Sequence, residues 1–127
     1  MKQQIQLSDA ELKIMETLWE QSPKTMAEIT RSLYPQTAWT KNTVITLLKR
    51  MIQKGTVCAD ETVSPKTYAP LVERSALIKQ ETKGLIKRLF KGSPTMLMSN
   101  MMDESGITDT ELDEMIRLLQ KKKEERV

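Results

Sequence analysis

The firmest constraint on this chain is a set of helix start signals, each placed directly before an apolar run of helical period. Ser8 is followed by Glu11, Thr25 by Glu28, and Thr108 by Glu111. A hydroxyl at the N-cap accepts from the backbone N–H three residues on, while the acid there reaches back to the N-cap amide, so the pair fixes where a helix begins. Leu7 with Leu12, and Ile107 with Leu112, add the hydrophobic staple that sets the entry angle. The first two starts leave room only for a short helix between them, and Pro23 stands in the gap to stop it. Short amphipathic helices are therefore the building unit.

Leu12, Met15, Leu18 and Trp19 form the apolar stripe of the first helix. Met26, Ile29 and Leu33 form that of the second, which Tyr34-Pro35 is expected to end. The third, "TKNTVITLLKRMIQKG", carries the most information. Thr40 is its N-cap, Trp39 staples onto Val44, and Gly55 supplies a left-handed stop. Val44, Leu47, Leu48, Met51 and Ile52 fall within about 140° of arc, which predicts a buried face. Opposite them lie Asn42, Thr43, Thr46, Lys49, Arg50 and Gln53, and no acid occurs from Thr30 to Ala59. A face of cations, amides and hydroxyls suits a groove lined by phosphates and base edges. Asn42 at the start of the helix serves equally well as a capping residue.

Beyond Gly55 the period changes from helical to alternating. "TVCA" and "KTYAPL" are β-prone runs around the polar turn "DETVSP", the pattern of a hairpin. Cys58 is expected to pack there as a small apolar residue. Two short helices, a third with a polar and basic outer face, then a hairpin give the order of a winged helix-turn-helix, whose third helix enters the major groove. Lys66, beyond the hairpin tip, is placed to meet a phosphate, and the neighbouring Asp60 and Glu61 argue for a weakly engaged wing. Trp19 and Trp39 read as core and staple rather than as stacking platforms for bases.

From Glu73 onward three further amphipathic segments follow. Leu77, Ile78, Leu85, Ile86, Leu89 and Phe90 share one side of the first, and Leu97, Met98, Met101 and Met102 share one side of a helix starting at Pro94. Leu112, Met115, Ile116 and Leu119 line the last, which ends in a charged tail containing Lys121, Lys122 and Lys123. A segment this small buries its stripes poorly alone. Pairing with a second copy of the chain is the favoured solution, with Leu85, Leu89, Leu97, Met98, Met101, Leu112, Met115, Ile116 and Leu119 as the seam. The expected division is residues 1–72 for a winged-helix domain and 73–127 for a helical dimerisation domain. The fold class is thus mainly α with a small β-hairpin wing.

Composition narrows function further. Histidine is absent, cysteine occurs once, and the four glycines are scattered singly, which removes the usual zinc sites, the Cys/His nucleophile pair and a glycine-rich phosphate loop. A binding protein without catalytic residues, metal or cofactor is the resulting expectation, not an enzyme. Four methionines lie within "MLMSNMM"; thioethers can hold Cu(I), yet helical spacing accounts for them as packing. No run of 18 apolar residues exists and the N-terminus lacks a secretory core, so the expected location is cytoplasmic with no membrane insertion. Net charge is only +3, but Lys24, Arg31, Lys41, Lys49, Arg50 and Lys54 face the single acid Glu28 between Lys24 and Cys58, a local excess of five. That points to nucleic acid.

Several stretches carry a family likeness. "LSDAELKIMETLW", "WTKNTV" leading into "LLKRMIQKG", "TYAPLVERS", "FKGSPTMLMSNMM" and "TDTELDEMIRLL" occur in one register from Leu7 to about Lys121. Together they make the chain resemble the penicillinase-repressor family, the BlaI/MecI group of bacterial repressors. The resemblance implies a homodimer on double-stranded operator DNA, a palindrome with TACA/TGTA-like half-sites. It implies relief of repression by cleavage in the dimerisation region, triggered through a membrane-bound sensor protease or a protease downstream of it, and hence a role in antibiotic resistance. The matching scissile pair is Asn100-Met101, with methionine where relatives usually have phenylalanine. Relatives commonly read Trp-Ser-Pro-Lys-Thr where this chain has Trp39-Thr40-Lys41-Asn42-Thr43, so the basic side chain is displaced by one position and base preference is expected to differ. Thr43, Thr46 and Arg50 keep the family pattern. The paired Cys-x-Cys motifs of the copper-responsive branch have no counterpart here. Two other readings remain open: a winged helix used for protein contact without DNA, and a ligand- or metal-responsive regulator released without cleavage.

Overall fold

In the computed structural model, residues 5–103 and 106–127 are described. Helices α1 (Asp9–Glu20), α2 (Met26–Thr37) and α3 (Lys41–Lys54) come first, with a two-residue strand β1 (Lys24–Thr25) before α2. Strands β2 (Val57–Asp60) and β3 (Thr67–Pro70) make the hairpin, followed by α4 (Arg74–Leu89), α5 (Pro94–Asp103) and α6 (Asp109–Glu125). The chain divides into two compact units, Met1–Glu81 and Thr82–Val127. Among the described residues no helix is long and apolar enough to cross a membrane.

The start signals act as expected. Ser8, Thr25 and Thr108 each close a reciprocal capping box with Glu11, Glu28 and Glu111. Thr40 caps α3, and Gly55 ends it at φ +79°, a left-handed geometry that favours glycine. The sheet has three strands in the order β1-β3-β2, all antiparallel, with Lys24 opposite Tyr68 and Val57 opposite Pro70. β1 escaped the sequence reading because two residues carry no periodicity; only its pairing with β3 makes it a strand.

Four differences from the sequence expectation have local causes. First, α2 does not stop at Tyr34-Pro35 but runs to Thr37 with Pro35 inside it. A proline in the last turn removes one backbone donor, and the end is closed instead by Thr37 Oγ1 donating to Leu33 O and Ala38 N–H donating to Tyr34 O, both at 2.8 Å. Burial of Leu33 holds that turn helical against the usual preference before proline. Second, Ile52 is exposed, although it was placed on the buried face of α3. Val44, Leu47, Leu48 and Met51 span about 100° of arc, and Ile52 falls about 40° beyond them. Third, Cys58 is exposed rather than packed. Alternation along β2 gives the inward place to Val57 and turns its neighbour outward. Fourth, Met101 and Met102 are exposed within the single chain rather than inward-facing.

The core of the first unit gathers Ile14, Met15, Leu18, Ile29, Leu33, Val44, Leu47, Leu48, Met51, Val57 and Tyr68, with Trp19 and Trp39 packed at its margin. Each fully buried aliphatic side chain contributes about 1.5–3 kcal/mol. The start of α4 belongs to this unit: Leu77 is buried, Gln80 exchanges two hydrogen bonds with the backbone of Ile5, and Trp19 Nε1 donates to Val72 O at 2.8 Å.

One buried charge pair ties the first helix to the third. Glu11 is fully buried, and its Oε1 accepts from Lys54 Nζ at 2.8 Å and from the Ser8 amide at 2.9 Å, while its Oε2 has no partner. Burial works to raise the Glu11 pKa, but the Lys54 ammonium and the Ser8 amide and hydroxyl outweigh it and hold the carboxyl below the ordinary carboxylate value. A depressed folded-state pKa means stability that is complete above the unfolded value and is lost as pH falls through the folded one. Glu11→Gln is therefore expected to unfold about 2 kcal/mol more easily at pH 7, the scale for breaking a pair with one partly exposed member. Urea denaturation should show that gap shrinking as pH is lowered below about 4; a gap constant from pH 7 to pH 3 would mean the charge contributes nothing.

Candidate nucleic-acid interface

The interface is built on α3, held on one side and at both ends. Its inner face is fixed by Val44, Leu47, Leu48 and Met51, its start by the Thr40 cap, and its last turn by Gly55 and by Lys54, which also donates to Gln6 O at 3.0 Å. What remains outside is the polar face, and Asn42, Thr43, Thr46, Lys49, Arg50 and Gln53 are all exposed, as is Lys41 at the first position. Among the described residues the side chains of Lys41, Asn42, Lys49 and Arg50 have no hydrogen-bond or ion-pair partner, so they are available to an outside group. The first turn of α3 contains no acid, unlike those of α1, α2 and α6. Its partial positive end is thus uncancelled and favours an approaching anion.

The threonines are more constrained. Thr46 Oγ1 donates to Asn42 O at 2.8 Å. A hydroxyl committed in this way can accept from a base amino group but not donate to it, and its methyl is left for apolar contact. Thr43 Oγ1 lies 3.5 Å from Thr40 Oγ1, so it keeps more freedom.

The wing contributes less. Lys66 is exposed, 3.7 Å from Glu61 and 5.9 Å from the centre of the Tyr68 ring. An exposed pair of this length holds by no more than about 1 kcal/mol, so Lys66 is lightly tethered rather than locked. Asp60 is turned to the Thr62 hydroxyl and amide, which lower its carboxyl below its ordinary value.

The structure also redistributes the basic excess. Lys24 is buried, its ammonium donating to Thr17 Oγ1 and Ser32 Oγ at 3.2 Å each, and Lys54 is bound to Glu11. Both are structural. Among the described residues Lys41, Lys49 and Arg50 remain as unpaired surface cations, Arg31 is exposed but, after the Thr25 amide and hydroxyl, its charge helps lower the Glu28 carboxyl one turn away, and no sequence signal separated these groups beforehand.

Among the described residues of the second unit, none is buried. Leu85, Leu97, Met98, Leu112 and Met115 are half-buried, while Leu89, Met101, Ile116 and Leu119 are exposed, Leu89 by 66% and Ile116 by 51%. Asn100 lies in α5 with its Nδ2 donating to Met96 O at 2.9 Å, and Met101 follows it in the same helix.

This arrangement has close parallels. The chain is 26% identical to the penicillinase repressor of Bacillus licheniformis over 123 residues, covering 97% of this chain and 96% of that protein. It is 26% identical to the methicillin resistance regulatory protein MecI of Staphylococcus aureus strain N315 over 117 residues, covering 92% and 95%. The solution structure of the DNA-binding domain of the repressor BlaI superposes with a TM-score of 0.52 at 32% identity, covering 60% of this chain and 93% of that one. The Bacillus licheniformis BlaI monomer in complex with the blaP half-operator matches with the same figures. With a winged helix in place, and with residues 7–121 matching the penicillinase repressor family, the chain belongs to that family.

Proposed function

We propose that this protein is a homodimeric transcriptional repressor that places α3 of each chain in the major groove of a palindromic operator with TACA/TGTA-like half-sites. The observation that carries this reading is the outer face of α3: exposed, free of acids, and fixed in place by everything behind it. Lys41, Lys49 and Arg50 supply the salt-dependent attraction to phosphates, and Asn42, Thr43 and Thr46 read base edges. An Asn side chain can pair in bidentate fashion with adenine, and Thr46 offers an acceptor and a methyl group. Lys66 adds a weaker phosphate contact from the wing. The likeness to BlaI, whose structure with a half-operator is known, supports the same use of this fold.

In this reading residues 1–72 act as the DNA-binding part and 73–127 as the dimerisation part, with the start of α4, up to Glu81, packed on the first unit. Leu85, Leu89, Leu97, Met98, Met101, Leu112, Met115, Ile116 and Leu119 form the seam, and their incomplete burial in one chain is what supports it. Two chains then present α3 helices about 34–36 Å apart, one helical turn of DNA. The protein acts in the cytoplasm, needs no cofactor and performs no catalysis. Release follows cleavage between Asn100 and Met101 by a protease set in motion by a membrane sensor, with a β-lactam as the type of signal. A protease requires an extended segment, so α5 must first open locally, which its lack of buried residues makes inexpensive. The cut separates α6 from the rest of the chain and removes bivalency without touching α3.

A gel-shift on a TACA/TGTA palindrome against scrambled duplex, at two salt concentrations, tests the reading directly; equal binding to both duplexes would sink it. Arg50→Ala is expected to weaken operator binding about tenfold and to flatten the salt dependence by about one unit of slope per half-site. For the seam, a Leu119→Glu, Ile116→Glu double variant should sediment as a monomer at concentrations where the parent is a dimer. Its helical circular dichroism should be retained in the first unit.

A further inference from the structure

Residues 5–8, which precede α1, touch three helices. Ile5 and Gln80, 75 residues apart, exchange two hydrogen bonds: Gln80 Nε2 donates to Ile5 O at 2.5 Å, and the Ile5 amide donates to Gln80 Oε1 at 3.2 Å. A carboxamide presents a donor and an acceptor side by side, as a neighbouring strand would. Gln6 O accepts from the ammonium of Lys54, the last residue of α3, at 3.0 Å. Leu7 packs against the core, and Ser8 caps α1. Adjacent residues of one short segment thus hold α4 and the end of α3. The base of α4 is fastened on the same side. Leu77, three residues before Gln80, is buried, and Arg74, three before that, lies 6.0 Å from the centre of the Trp19 ring. Trp19 Nε1 donates to Val72 O, just ahead of the helix, at 2.8 Å.

This fastening bears on where a second half-site can lie. α4 is one helix from Arg74 to Leu89, begun in the first unit and finished in the second. If its first turns could swing on the winged helix, a dimer would accept half-sites at many separations. One base pair more or less moves a half-site by about 3.4 Å along the DNA and turns it by about 35°. A rigid join raises the effective concentration of the second half-site only where the span matches. Two hydrogen bonds from one planar amide fix an orientation as well as a distance, whereas the apolar contact of Leu77 is non-directional. We propose that Ile5–Ser8 is a strap locking the first turns of α4 to the end of α3, with Gln80 as its positioning residue, so that the dimer selects the separation of its operator half-sites. The proposal rests on the homodimeric repressor reading and deepens it. It adds a property that α3 alone cannot supply, since contacts within one half-site are indifferent to where the other lies.

The full-length protein is titrated on the palindrome, on the palindrome with one base pair inserted between its half-sites, and on a single half-site. The parent should bind the spaced duplex about tenfold more weakly than the palindrome. Gln80→Ala should shrink that ratio to about twofold, chiefly by weakening the palindrome, while single half-site affinity stays at the parental value. Ile5→Pro removes the amide donor from the other side of the pair and should move the ratio the same way. Combining Ile5→Pro with Gln80→Ala should lose no more than Gln80→Ala alone, because both cut one interaction. If Gln80→Ala keeps the parental ratio, or weakens all of these duplexes equally, the strap is overturned and the repressor reading stands. A parent that prefers the palindrome to scrambled DNA yet tolerates the inserted base pair has the same meaning. A parent with no preference over scrambled DNA overturns both.

Discussion

A helix can offer its whole polar face to a partner only when its other face and both ends are held, and here that hold is the packing of α3. Val44, Leu47, Leu48 and Met51 seat it on α1 and α2, and the Thr40 cap fixes its first turn. Lys54, at the last turn, reaches the fully buried carboxylate of Glu11, the same oxygen that closes the capping box of α1. One anion therefore serves two helices at once, closing the cap of α1 and holding the last residue of α3. Because Glu11 Oε2 has no hydrogen-bond partner, the carboxylate depends on Lys54 more than a doubly satisfied one would. This joint adds to the apolar packing that seats α3, on which its exposed side chains depend.

Charge on the first unit follows the same division between inside and outside. Lys24 and Lys54 neutralise or satisfy interior polar groups, Glu28 is bound in its cap, and Asp60 is held by Thr62. Of the cations left over, Lys41, Lys49 and Arg50 lie on α3, where among the described residues no acid answers them at contact distance, while Arg31 on α2 acts on Glu28 one turn away. A protein of net charge +3 can thus carry a field of one sign on a single surface. In low salt such a field reaches well beyond the contact distance, and at about 0.15 M it is confined to roughly 8 Å. Salt dependence is accordingly the property that separates this surface from an ordinary solvated helix.

Much of this was legible in the residues, and what was not has a physical reason. Ser8, Thr25, Thr40, Gly55 and Thr108 mark helix ends through local hydrogen bonding, which a sequence states directly. The polar face of α3 follows from period and needs no tertiary knowledge. Pro35 misled because its effect depends on how many backbone bonds follow it, and Leu33 burial decides the outcome. β1 is a strand only through its partner. Ile52 and Cys58 were assigned by residue type, whereas their exposure is set by a few tens of degrees of helix phase and by strand alternation. The burial of Glu11 was hidden because the same residue satisfies a capping rule that works equally well at the surface. Gln80 was legible as a polar residue of a helix, but not as the partner of Ile5, because 75 residues separate them.

The second unit poses the opposite problem from the first. Its helices are as well marked in sequence, yet none of its described residues is buried, so its stripes gain little from folding of one chain. Apolar area left in water is worth about 25 cal/mol per Å² once covered, and a second copy is the cover proposed here. On that proposal, dimer strength and DNA chemistry would reside in different parts of the chain. Joining two half-site binders raises affinity through effective concentration, by a factor of about 10² to 10⁴ without any new contact to DNA. A single break in α5 can cancel that factor while every side chain of α3 stays where it was. Under the proposed reading, control by scission would demand little of the recognition surface, and the surface would be free to be rigid.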